Sequence, residues 1–504
     1  YESNNRTGIW SSPTILSQGF GSAIRPAGAL DAGGRLHFVW SDLQQARQIF
    51  YTRVDRFDWI KVVNEGGLAM SAAQIYRNGH LLGETDERGL FFADALAVDD
   101  ELVTLAPVDE YAGVRQGHTS PDSPTRDWAY RTYLTNWRYA AGGERVGATV
   151  ANLEGEQLLQ VRSDSPLALL NLVVSMEWGA SMTETQRFSN ALHSASDYLF
   201  DATNGQIAIG HAAIYTRGDW WADADIQVLA TNYNRPHAQV GGLREPLSAP
   251  IRVGRQWSGT LNVISGEATW DKPAGYRTLV HELGHHVLGL GDSYLGPQFN
   301  ITGTVTGWIN ANCTAPDIRI NEQDDVNATL MDYQYNASEF AMRGVIGAWT
   351  DDCVQTKQWY FNQESDWETI ARLFDGAAAD NTWQFQTPAQ TGILAGPSSL
   401  PLNGLPLVAI VEDDGEAAIE TTVQLEGPPS VIQAASVTLF AQRGPDHTEA
   451  IDQGFSDRNG RIVVLGGRAG DEVRALSWNA TYAGKVTLQA GVTNTLVMTT
   501  ITPA

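Results

Sequence analysis

Cysteine is nearly absent from this chain: Cys313 and Cys353 are the only two in 504 residues. That excludes a disulfide-dense small scaffold, and because neither sits in a C-x-x-C pair it excludes a zinc ribbon. The two are free thiols in a reducing compartment or one disulfide in an oxidising one, and the disulfide is the expectation here. Basic charge is also short. Lys and Arg number 33 against 58 Asp and Glu, a formal net charge of −25. A surface so acidic repels the phosphates of nucleic acid and of anionic lipid, so neither is expected as a partner. No apolar run is long enough to cross a bilayer, so no transmembrane segment is expected. Tyr1 is not an initiator Met, and no basic and then apolar leader follows it, so a signal or anchor is expected outside this segment. These absences point to an extracellular protein, secreted or at the cell surface.

Apolar residues are plentiful at 43%, enough for more than one core. Histidine is scarce, with 10 residues, yet two fall in His281-Glu282-Leu283-Gly284-His285. On a helix this spacing puts both imidazoles on one face, one turn apart, where they can grip a single metal ion. Glu282 stands where a carboxylate takes a proton from a zinc-activated water. A wet surface helix could carry the same letters. Its flanks, Leu279, Val280, Leu283, Val287, Leu288 and Leu290, are apolar instead, and a buried His-Glu-His group is costly without a cation. Gly289 can end the helix through a left-handed turn, and Asp292, three residues on, can then present a third ligand. His286 is the rival ligand, but it points about 100° away from His285 around the helix.

The motif resembles that of the metzincin metallopeptidases, with one residue more before the glycine: H-E-x-x-H-x-x-x-G-x-x-D. This longer form is similar to the metallohydrolase domain of the calcium-activated chloride channel regulator family, with Asp292-Ser293-Tyr294 where that family has Asp-Glu-Tyr. The resemblance implies zinc on His281, His285 and Asp292, with Glu282 as general base. It also implies a methionine turn beneath the zinc, for which Ala328-Thr329-Leu330-Met331-Asp332-Tyr333 has the right order and distance. Met331 would then support the site, and Tyr333 would polarise a substrate carbonyl. Finally it implies an edge strand that pairs with substrate backbone. Asp225, Ile226, Gln227 and Val228, within Asp225–Ala230, are the candidate. Cys313 and Cys353 bracket the methionine turn, so their disulfide would staple the lower part of that domain.

Around this centre the expected fold class is multidomain α+β, a metzincin-like zinc peptidase domain of mixed sheet plus zinc helix with flanking all-β sandwich modules. Residues 1–62 read as three strands, among them Ile9–Pro13, and resemble one blade of a sialidase-type propeller. Residues 63–108 resemble the small sandwich of carboxypeptidase-regulatory-like modules, with an Asn78-Gly79 hairpin turn. Residues 109–160 are aromatic: Trp128, Tyr130, Tyr133, Trp137 and Tyr139 suit a glycan platform, though a hairpin packed on the next domain is the plainer reading. Residues 161–375 are the expected peptidase domain. In it, Pro166–Ser175 is an apolar strand for a sheet covered on both faces, Thr183–Phe200 is a helix, and Gly259–Ile264 is a strand before the zinc helix. Gln363–Phe374 is a second helix, with Ser365 and Glu368 as a capping box. Residues 376–430 are a Gly- and Pro-rich linker with room for strands such as Leu407–Val411. Residues 431–504 repeat the strand and turn grammar of the second module. Glu322, Asp324 and Asp325 offer oxygens of the kind calcium takes, although a solvated loop explains them as well.

The expected function is that of a secreted zinc endopeptidase acting on protein or peptide as a monomer. The alternative is a surface adhesion or scaffold module that keeps zinc for stability and cleaves nothing but itself. Retention of Glu282 favours the enzyme, since a structural zinc needs no base.

Overall fold

The computed structural model describes residues 23–30, 36–42, 49–54, 57–94, 96–110, 131–140, 143–153, 156–232, 235–241, 249–257, 268–311, 313, 329–335, 337–344, 349–375, 383–392, 399–411, 419–444 and 447–501. The expected strands Ile9–Pro13 and Gly259–Ile264, the aromatics Trp128 and Tyr130, and the acidic residues Glu322, Asp324 and Asp325 lie outside them. Among the described residues, no helix is long and apolar enough to cross a membrane.

One ten-stranded mixed sheet organises most of the chain. Eleven labels cover the strands used here and the hairpin that follows the metal helix. They are β1 Gln74–Arg77, β2 His80–Glu84, β3 Glu101–Glu110, β4 Arg131–Thr135, β5 Arg162–Met176, β6 Ile207–Tyr215, β7 Ile226–Val228, β8 Ile251–Val253, then the hairpin β9 Leu295–Phe299 and β10 Val305–Asn310; β11 is Leu407–Ile410. The helices are α1 Met182–Ala202, α2 Pro273–His286, α3 Lys357–Asn362 and α4 Asp366–Asp375. The sheet runs β8-β7-β5-β4-β3-β1-β2, with β6 on the other side of β5 and β11 beyond β6.

The apolar run read as a strand covered on both faces is β5, whose residues from Ser165 to Met176 are buried apart from Asn171. Its first half pairs antiparallel with β4, while its second half pairs parallel with β6 and ends beside β7. The Asn78-Gly79 turn forms as expected. Both residues take positive φ, 50° and 79°, and the turn joins β1 to β2. Pairing continues through β3 to β4 and β5, so β1, β2 and β3 share one sheet with β5, β6, β7 and β8. The strand foreseen near Leu407 is β11, which joins the same sheet parallel to β6.

The strand expected to edge the cleft does not. β7 pairs with β5 on one side and β8 on the other, so its backbone groups are used and it cannot add a substrate strand. On the far side of β8, His237 exchanges backbone hydrogen bonds with Arg252 at 3.0 and 2.9 Å.

Helix α1 opens with a capping box, in which Ser181 caps the first turn and Glu184 reaches back to the Ser181 N–H. Its face Phe188, Leu192, Ala195 and Leu199 is buried against the sheet and α2. Tyr133 and Trp137 are buried as well, the packing role rather than the platform. At the N-terminal end Ala23–Leu30, Leu36–Asp42 and Ile49–Val54 form a separate three-stranded antiparallel sheet. From Ile419 the chain forms two small sheets of three and five strands. They close over their own core, including Val423, Leu425, Val437, Leu439, Val464, Val473 and Leu496. The stretch read as the C-terminal module, 431–504, lies in these sheets, and their first strand, Ile419–Glu426, begins in the stretch read as linker. Gly466, at φ 77°, sits where a Cβ would come within 2.7 Å of Ala230 Cβ, so only glycine fits that contact between modules.

Two carboxyl groups meet behind α1. Burial, and then the charge of Asp201, push Glu339 up to about 9, and its Oε2 is buried with no hydrogen-bond partner. Burial raises Asp201 to about 6. A carboxyl raised above its unfolded value of 4.5 leaves the fold most stable below that value, and stability drops as pH climbs towards 9. Glu339→Gln should flatten this slope and gain on the order of 2 kcal/mol at pH 8, measured by urea unfolding across pH. An unchanged slope would contradict this assignment.

Candidate metal centre

Pro273 starts α2 at its first position, where its missing N–H costs nothing and its fixed φ suits a helix. The helix ends as the sequence requires, with Gly289 in the left-handed region at φ 66°. Leu290 N–H then returns to Gly284 O at 3.0 Å. This reversal turns the chain back along the helix and brings Asp292 to its two histidines. His281, His285 and Asp292 place one ligand atom each within 4.8 Å of one another, and all three are buried. His285 Nε2 lies 3.1 Å and His281 Nε2 3.6 Å from Asp292 Oδ1.

The far side of each imidazole settles its tautomer. His281 Nδ1 faces Leu330 O at 3.0 Å and His285 Nδ1 faces Leu290 O at 2.6 Å. A carbonyl only accepts, so each Nδ1 carries a hydrogen and each ring turns its Nε2 inward. Two ring nitrogens and a carboxylate oxygen then converge in a buried space. That arrangement calls for a cation, and the donor set of two imidazoles and one carboxylate fits a divalent metal with a position left open. Burial alone raises the Asp292 carboxyl, but the facing imidazoles outweigh it and hold it far below the usual carboxylate range.

Glu282 is 4% exposed. Burial pushes it up to about 7; the Asp292 charge adds, while His281, Lys357 and a backbone hydrogen bond from Ala238 oppose. Its Oε2 has no hydrogen-bond partner. His286 faces away, its Nε2 3.6 Å from Asp225 Oδ1, so it stays outside the ligand set. Asp225 instead braces β5, accepting the Val173 N–H at 2.6 Å.

The methionine expected under the site is there. Met331 is fully buried, and a Cβ on Gly284 would come within 2.7 Å of its sulfur. The turn is pinned twice. Ser293 N–H donates to Met331 O at 2.9 Å. Asp366, at the start of α4, accepts from Thr329 Oγ1 at 2.7 Å and Ala341 N–H at 2.9 Å. The Tyr333 ring stands edge-on to Tyr335 at 5.4 Å. The phenol at the ligands is Tyr294, stacked 6.1 Å from the His281 ring. Burial, then the Asp292 charge, hold its hydroxyl protonated well beyond the usual range.

Cys313 and Cys353 form the disulfide, with Cα atoms 4.1 Å apart. Cys313 N–H also reaches Ser293 O at 2.8 Å, so the bridge stands one residue from the third ligand. Sequence reasoning missed Lys357, Tyr294 as a site residue and Asp366. Tyr294 was findable from its place two residues after Asp292. Lys357 stands 65 residues from its partner Asp292, and no local pattern connects them.

Met331→Ala should leave a void under α2 and cost about 2–5 kcal/mol of unfolding free energy, read by urea denaturation. A loss under about 0.5 kcal/mol would show that the methionine does not support the helix.

Comparison with family models, with curated proteins and with solved structures gave no match.

Proposed function

We propose that the chain is a secreted zinc-dependent endopeptidase of metzincin type. The observation that carries the reading is a buried, unpartnered Glu282 oxygen beside two inward-facing imidazoles and one carboxylate. A site built only for stability has no use for a carboxyl oxygen left without a partner, and leaving one buried is costly. His281, His285 and Asp292 would hold the ion, and a zinc ion there supplies an acidified water and a polarised carbonyl. Glu282 then takes one proton from water as the oxygen attacks the peptide carbonyl carbon. As the C–N bond breaks, Glu282 returns that proton to the leaving amine. Tyr294, held protonated beside the ligands, would donate a hydrogen bond to the charge that develops on the carbonyl oxygen. Extracellular location is supported by the disulfide, which persists in oxidising compartments. The acidic composition agrees with a protein or peptide substrate rather than a nucleic acid.

The test compares the purified chain with Glu282→Ala, measuring metal by mass spectrometry and cleavage of casein or gelatin. One zinc per chain in both, with cleavage reduced at least ~100-fold in the variant, is the expected result. Zinc in both with no cleavage in either favours the adhesion or scaffold reading. No zinc in either overturns the proposal.

A further inference from the structure

Asp292 divides its two oxygens between different partners. Oδ1 faces the two imidazoles, at 3.1 and 3.6 Å. Oδ2 is 2.8 Å from the ammonium of Lys357, the first residue of α3. This lysine is held from several directions. Its Nζ lies 5.3 Å from the ring centroid of Trp308 on β10, an attractive position for a cation. The next residue, Gln358, donates its backbone N–H to Asp292 O at 3.1 Å and accepts from Gly291 N–H through Oε1 at 2.7 Å. A Cβ on Gly291 would come within 2.8 Å of Gln358 Cα, so glycine is what lets the two segments close. Upstream, the short helical turn Asp351–Gln355 contains Cys353, whose disulfide ties it to Cys313, the residue whose N–H bonds Ser293 O beside Asp292.

We propose that Lys357 is a positioning residue that keeps Asp292 a one-oxygen ligand. The inference rests on the metal reading above and adds to it how the open coordination position is kept. A carboxylate free to turn can offer both oxygens to a cation. With two imidazoles and two carboxylate oxygens already bound, a water or carbonyl would make the ion five-coordinate rather than four-coordinate. The ammonium is a compact point charge that engages Oδ2 and leaves Oδ1 to the metal. Arginine at this position would do something else, because its planar fork takes both oxygens of a carboxylate at once. The charge at 357 and its shape therefore have separable consequences, which a purely structural salt bridge would not produce.

The experiment uses cobalt(II) in the full chain, with visible absorption as the readout of coordination number and chelator competition as the readout of affinity. The wild type should bind one cobalt and show the intense bands of a four-coordinate ion. Lys357→Met should still bind one cobalt, with bands several-fold weaker as Asp292 turns to give both oxygens. Lys357→Arg keeps the charge and so guards against a folding failure of the first variant. It should lose about 10-fold or more in cobalt affinity. A fully loaded Lys357→Met with the wild-type spectrum, or Lys357→Arg with wild-type affinity, overturns the role given to Lys357 while leaving the metal site standing. Absence of cobalt from the wild type overturns the metal reading, and this inference with it.

Discussion

Three acceptor atoms aimed at one buried point are the constraint around which the centre of this chain is built. His281 Nε2, His285 Nε2 and Asp292 Oδ1 converge once Leu330 O and Leu290 O have taken up the Nδ1 sides of the two rings. Such a group repels itself unless a cation lies between its members. Everything packed nearby restrains the atoms from relaxing apart. The left-handed turn at Gly289 returns the chain, the Ser293 N–H bonds to the methionine turn, and Asp366 ties that turn to α4.

The same restraint extends outward in layers. Met331 fills the space beneath Gly284, and the two are close enough that a single added methyl would strike the sulfur. Interiors packed this tightly transmit a displacement rather than absorb it. The disulfide and the Lys357 segment close the side opposite the methionine, around the third ligand. The ligand loop is therefore clamped from below by apolar packing and from the side by covalent and ionic links. The ten-stranded sheet sets the position of α2 through α1, which packs on both the sheet and the metal helix.

Local signals in the sequence reached far into this centre. H-E-x-x-H and the glycine after it are readable because a helix fixes which residues share a face and glycine marks where it must turn back. The capping box of Ser365 and Glu368 was legible for the same reason: Ser365 Oγ lies 2.7 Å from Glu368 Oε2. The apolar length of β5 announced a strand covered on both faces. Pairing order was not legible. β8 has three residues, Ile251, Arg252 and Val253, too short for periodicity to separate from loop, so β7 read as an outer strand when it is an inner one. Lys357 illustrates the same limit: its partner lies across the fold, and only packing at Gly291 brings them together.

The most direct measurement of the central claim is zinc K-edge X-ray absorption on the purified, zinc-loaded chain. The predicted spectrum has about four nitrogen or oxygen neighbours at roughly 2.0–2.1 Å, the outer-shell features of two imidazoles, and no sulfur. In His285→Ala one imidazole contribution should disappear. Sulfur ligation, or a wild-type spectrum without imidazole, would place the metal elsewhere and contradict the account.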